Sequence, residues 1–67
     1  MTRASDFKVG DRVRIWETTW QREDDKFGTV AYVYEPGWEI DVEVDTRPGE
    51  VFSVYASSLD HLEAEES

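Results

Sequence analysis

The stretch Trp38-Glu39-Ile40-Asp41-Val42-Glu43-Val44-Asp45 decides the fold of this chain. Trp38, Ile40, Val42 and Val44 fall on one side of an extended backbone. Glu39, Asp41, Glu43 and Asp45 fall on the other, the period-two pattern of a strand with one buried and one solvated face. Just before it, Glu35-Pro36-Gly37 carries proline and glycine in the order that a type II turn prefers, a hairpin signal. The partner strand is Phe27 to Tyr34, FGTVAYVY. There Val30, Tyr32 and Tyr34 share one parity and Ala31 and Val33 the other, so either both faces are buried or a bulge near Ala31 shifts the phase.

Farther out, Thr46-Arg47-Pro48-Gly49 repeats the Pro-Gly turn and leads into Glu50 to Tyr55, where Phe52 and Val54 face the core. Ala56-Ser57-Ser58 suits a single 3-10 turn, and Leu59 to Leu62 a short closing strand. On the N-terminal side, Val9-Gly10-Asp11 is a turn. It precedes a strand over Asp11 to Trp16, in which Val13 and Ile15 alternate with Arg12, Arg14 and Trp16. Glu17 to Lys26 is too charged for a strand and too short for a stable isolated helix, and is expected as a long surface loop.

The 67 residues leave room for one domain, and a chain this short buries only about three-fifths of the surface that it exposes when unfolded. A large enzyme with an enclosed active site is excluded. With no cysteine, neither a disulfide framework nor a cysteine-ligated zinc supplements the core. Mean hydropathy is -0.66 and the net charge -9, close to the disordered regime. Leu, Ile, Val and Phe supply 15 of the residues, just above the roughly 20% below which such a chain is not expected to fold. Nine aromatic residues, each able to bury on the order of 150 to 250 Å², tip the balance to a folded domain. Val, Ile, Thr, Phe, Tyr and Trp number 24 against 7 for Ala, Leu and Met, which favours pleated surfaces over helices.

The expected fold is therefore all-β, with five short strands curled into a closed or nearly closed barrel that protects both faces of so small a sheet. Residues 1–6 are expected to be a flexible N-terminus, 7–63 the barrel and 64–67 an acidic tail. The first strand, its loop, the Gly28-Thr29-Val30 strand, Phe52 and the closing Leu59-Asp60-His61-Leu62-Glu63 come in a telling order, with Gly10-Asp11-Arg12-Val13 opening the series. That order resembles the small Src-homology-3-like (SH3-like) barrels, above all the KOW-like and related prokaryotic or bacteriophage versions. The resemblance spans Phe7 to Glu63. It implies a five-stranded barrel with a long first loop and a short 3-10 turn before the last strand, and a phage-encoded origin fits it. Function does not follow, because this barrel hosts many unrelated roles. The Ala-Leu-Tyr-Asp-Tyr run of the eukaryotic peptide-binding members is absent, so a proline-rich ligand is not carried over.

Catalysis finds little support. The one histidine, His61, has Asp60 beside it, but neighbours on a strand point to opposite faces. No nucleophile elbow, phosphate-binding glycine loop or zinc-protease motif occurs. The reading is a non-enzyme without a cofactor. No apolar run approaches the ~20 residues that span a bilayer, and the N-terminus lacks the apolar stretch of a secretory signal, so a cytoplasmic chain away from membranes is expected.

Aromatic residues that the core does not claim are the candidate partner-binding surface: Trp16, Trp20, Tyr34, Trp38 and Tyr55, and the resemblance to SH3-like barrels implies a contact groove between the first loop and the following hairpin. Of these, Trp38 and Tyr34 suit the core better, whereas Trp20, in a charged loop, is expected to be exposed. Asp41, Glu43 and Asp45 form an acidic face with a spacing of about 7 Å. It could attract a basic partner or imitate nucleic-acid phosphates towards a DNA-binding protein; it serves equally as a solvated face that discourages aggregation. A calcium site is not expected, since carboxylates spread along a stiff strand do not converge on one ion. Charge is unevenly spread: residues 1–26 hold six bases and six acids, and residues 27–67 hold Arg47 against ten acids. The neutral third leaves Arg12 and Arg14, near Trp16, as a weak nucleic-acid contact. The leading expectation is a protein-interaction module, a small acidic adaptor or regulator, monomeric or homodimeric. The alternative is a nucleic-acid-directed protein, either an acidic DNA mimic or a weak KOW-like RNA binder.

Overall fold

The alternating stretch becomes an interior strand of a five-stranded antiparallel sheet in the computed structural model, which describes residues 3–16 and 18–62. The strands are β1 (Arg12–Ile15), β2 (Phe27–Val33), β3 (Glu39–Val44), β4 (Val51–Tyr55) and β5 (Leu59–His61), in the spatial order β4-β3-β2-β1-β5. All four pairings are antiparallel. A 3-10 turn, Ala56–Ser58, joins β4 to β5. These two strands are the edges, and no ladder links them among the described residues. The closed barrel expected from the sequence is therefore not formed: the sheet stays open, its edge strands β4 and β5 following one another through the 3-10 turn without pairing among the described residues.

Ile40, Val42 and Val44 are fully buried, as the alternation of β3 requires. Each such burial contributes about 1.5–3 kcal/mol before entropy is counted, so β3 anchors the core. Val13 and Ile15 of β1, Val30 of β2, Val54 of β4 and Leu59 of β5 join it, together with Ala4, Phe7 and Ala56. Phe52 is half-buried at the margin. Ahead of the strands, Ala4–Asp6 forms a 3-10 turn whose Ala4 is wholly buried and donates its N–H to the Gly37 carbonyl at 3.0 Å. The acidic tail expected over 64–67 lies outside the described residues.

Two local features set the phase of the sheet. Gly28 sits where a Cβ would come within 2.6 Å of Val42 Cγ1 and 2.7 Å of the Glu43 carbonyl oxygen, so only glycine lets β2 approach β3 this closely. Between Val30 and Tyr32 the register shifts at Ala31: Val30 lies opposite Val42, but Tyr32 lies opposite Asp41. This is the bulge that the mixed parity suggested, and it reverses the faces beyond it. Val33 therefore turns inward and Tyr34 outward, and Tyr34 is 43% exposed. The expectation of a core Tyr34 fails for that reason.

The two proline-glycine connections differ. At Arg47–Glu50 the Glu50 N–H donates to the Arg47 carbonyl at 3.0 Å with Gly49 at φ +87°, the geometry of a type II turn. At Glu35-Pro36-Gly37, Gly37 takes φ +145° and the loop closes by Tyr34 N–H donating to the Glu39 carbonyl at 3.1 Å, a wider connection than the tight turn expected. Trp38 lies in that connection, outside the ladder that enforces alternation, and is 54% exposed rather than part of the core.

Candidate functional site

The long connection between β1 and β2 folds back over the sheet rather than standing away from it. Asp25 is the reason: it is almost completely buried and gathers donors from three directions. Its carboxylate accepts from the Thr46 hydroxyl at 2.5 Å, the Arg22 N–H at 2.9 Å and the Arg47 guanidinium at 2.6 Å. The Thr46 bond, then the Arg22 N–H and the Arg47 charge, hold the Asp25 pKa below the usual carboxylate range against the opposing effect of burial. The Gln21 side-chain amide bridges the carbonyls of Ile15, at 3.0 Å, and Asp25. The base of the loop is thereby fastened to β1 and to the β3–β4 turn.

This fastening carries Trp20 to the sheet. Its ring stacks on Phe52 with centroids 4.4 Å apart, and the Arg47 guanidinium lies 4.9 Å from the Phe52 centroid. Trp20 is half-buried against the core, contrary to the exposure expected from its charged neighbours; Phe52, incompletely covered at the sheet margin, supplies the apolar partner. Between the loop and β4 runs a groove of about 320 Å³, walled by Thr18, Thr19 and Trp20 on one side and by Glu39, Ser53 and Tyr55 on the other. Tyr55 is 62% exposed. The Thr18 hydroxyl is buried and finds no hydrogen-bond partner among the described residues.

The five aromatic residues picked out by sequence do not share one surface. Trp20 and Tyr55 meet at this groove. Trp16 lies on the other side of the loop, donating its indole N–H to Asp60 at 2.7 Å, with the Arg14 guanidinium 4.2 Å from its ring centroid. Trp38 borders a separate hollow with Arg3, Ser5 and Pro36. Tyr34 stands on the outer face, edge-on to Tyr32, and donates to Asp41 at 2.7 Å. That bond raises the Tyr34 pKa.

Each member of the acidic face is engaged within the chain. Asp41 accepts from Tyr34 and from Ser53 Oγ at 2.8 Å, and Glu43 from the Gly49 N–H at 2.9 Å. Asp45 forms a two-point contact with Arg12 at 2.8 and 2.6 Å, which lowers the Asp45 pKa and raises that of Arg12. Both side chains of that pair are about half exposed.

Arg12 is thus occupied, but Arg14 pairs with no carboxylate among the described residues. It lies with Arg22 and Lys26 along a hollow of about 310 Å³ beside Trp16, with Glu23 as the acidic lining residue. His61 stacks on Phe7 with centroids 4.3 Å apart and places Nε2 3.3 Å from Asp11, not Asp60.

Thr18, Thr19 and Ser53 carried no signal in the sequence, because polar residues in loops and on edge strands are common. Asp25 had one weak mark: an acid in a run of charges, distinguished only by the fold. Among the described residues no helix is long and apolar enough to cross a membrane. In comparison with known proteins, no family model matches the chain, and no curated protein or solved structure shows significant similarity to it.

Proposed function

We propose that this chain is a non-enzymatic protein-interaction module, a small acidic adaptor or regulator that receives a protein partner in the groove between its first loop and β4. The observation that carries this reading is the meeting of Trp20 and Tyr55 across that groove. One ring is held rigid by Phe52 and the other is open to solvent. A fixed aromatic anchor, an exposed one and a hydroxyl-rich rim are the ordinary make-up of a protein-binding hot spot. We also read the sheet as SH3-like. The long loop after β1, the 3-10 turn before β5 and the position of β5 beside β1 support that reading.

The experiment is affinity capture from native extract with wild-type, Tyr55→Ala and Asp45→Asn proteins. A partner held by the wild type and by Asp45→Asn but lost by Tyr55→Ala supports the groove. Retention by a folded Tyr55→Ala protein sinks it.

A second reading, a nucleic-acid-directed protein, is favoured by one observation: Arg14, Arg22 and Lys26 converge beside the exposed Trp16 in a chain that is otherwise acidic. Amide shifts of residues 14, 16, 22 and 26 on titration with short single-stranded DNA or RNA at low salt are its expected sign. A silent titration removes it. The acidic-mimic form of this reading would have to use carboxylates already bonded to Tyr34, Ser53, Gly49 and Arg12.

A further inference from the structure

We infer that β4 is a docking edge, to which an extended, basic segment of a protein partner adds as a sixth strand along the groove beside the first loop. This deepens the interaction reading given above and rests on it. The main-chain phase of β4 leads there. The Ala56 N–H donates to the Trp38 carbonyl at 2.7 Å, and the Tyr34 N–H to the Glu39 carbonyl at 3.1 Å. Antiparallel ladders alternate bonded and non-bonded pairs. With Glu39 opposite Tyr55, Asp41 opposite Ser53 and Glu43 opposite Val51, it is Phe52 and Val54 that bond to β3. Val51, Ser53 and Tyr55 direct their main-chain groups away from it. The Tyr55 carbonyl opens the 3-10 turn. No other element supplies a main-chain partner for the remaining outward groups among the described residues.

The composition of this edge agrees. Val51-Phe52-Ser53-Val54-Tyr55 contains no charge and no proline, the devices with which proteins block strand addition. The other edge, β5, is three residues long and carries Asp60 and His61. Val51 is 50% exposed and Tyr55 62%. An incoming strand would enter the groove between β4 and residues Thr18, Thr19 and Trp20 of the loop. Main-chain bonds would then give affinity and alternate side chains selectivity.

Charge selects the partner. Glu39, Asp41 and Glu43 lie one strand inward from β4, the last two bonded only to neutral donors that leave their charge in place, and an added strand would lie about 4.8 Å beyond β4. Lysine or arginine side chains opposite the small Ser53 would reach back towards that row, with Glu50 at the start of the edge. A second copy of the chain would bring its own charge of -9 and repel.

The test is amide hydrogen exchange on isotope-labelled protein with a capped octapeptide alternating lysine and valine, set against its glutamate counterpart. The basic peptide should slow exchange of the Ser53 and Tyr55 amides about tenfold at saturation, with shifts confined to β4 and residues 18–20; the acidic peptide should do nothing. Ser53→Pro removes an N–H that β3 does not use and should abolish the protection, and Ser53→Lys, which leaves the main chain intact, should weaken it by like charge. Unchanged exchange with saturating basic peptide overturns the inference, as does equal protection by the acidic one. Protection that appears without peptide and grows with protein concentration also overturns it, by showing a second copy on the edge. If peptide protection fails while Tyr55→Ala still abolishes capture of a natural partner, strand addition is wrong and the groove reading stands.

Discussion

Asp25 and Arg47 form a buried ion pair, with a guanidinium nitrogen 2.6 Å from the carboxylate and side-chain exposures of 1% and 14%. The pair joins the base of the first loop to the turn between β3 and β4, and Arg47 also lies over Phe52, on which Trp20 stacks. One contact therefore positions both the loop and its aromatic anchor. Breaking such a pair leaves a buried charge without its counter-ion, a far larger loss than breaking an exposed one.

Asp25→Asn is expected to lower Tm by roughly 10 °C in this small domain. Arg12→Ala, which removes the half-exposed contact with Asp45, should cost about 1 kcal/mol or less. Thermal unfolding followed by circular dichroism separates them, and equal losses would show that the buried pair has no special role.

Acid should unfold the protein through the same carboxylates. Asp25 and Asp45 have pKa values held below their unfolded values, chiefly by hydrogen bonds from Thr46 and from Arg12 respectively. Their stabilisation is complete above the unfolded carboxylate pKa of about 3.9 and is lost as pH falls through the folded values. Stability should thus be level near neutrality and fall below about pH 4, with a shallower fall in Asp25→Asn. Urea midpoints measured from pH 7 downward provide the comparison.

Gly28→Ala should destabilise by about 1–3 kcal/mol. The added methyl meets the buried Val42 side chain and the Glu43 carbonyl, and backbone cannot swing aside as a flexible side-chain end can. An unchanged urea midpoint would mean that β2 and β3 lie farther apart than described.

Ile40 is fully buried in β3 opposite Val33 and Val54. Ile40→Val should cost about 0.5–1.5 kcal/mol and Ile40→Ala about 2–5 kcal/mol, the latter enough to unfold much of a population this small in core. Asp41→Asn, on the same strand but the outer face, should keep the fold. Comparing their amide spectra tests the assignment of faces.

The β3 alternation, the 3-10 turn at Ala56–Ser58 and the succession of five strands along the chain were legible in the residues because each rests on local spacing. So was the bulge at Ala31, since two parities in one strand require a phase shift or two buried faces. Parity misled at Tyr34, beyond that bulge, and at Trp38, beyond the end of the ladder. Of the groove, Trp20 and Tyr55 were recognisable as aromatic residues outside the core pattern, but Thr18 and Ser53 were not, because a hydroxyl in a polar segment carries no local mark.

By itself the sequence determined which residues alternate, where the turns fall and how the charge divides between its first third and the rest, since these depend on neighbours in the chain. Only the tertiary structure decided that Asp25 is buried, that Trp20 reaches Phe52 and that Arg12 spends its charge on Asp45. Those choices are made between residues far apart in sequence, when a loop must satisfy its polar groups and cover the sheet margin at the same time. The open edge at β4 is of the same kind: it exists because the chain pairs its last strand with β1 instead.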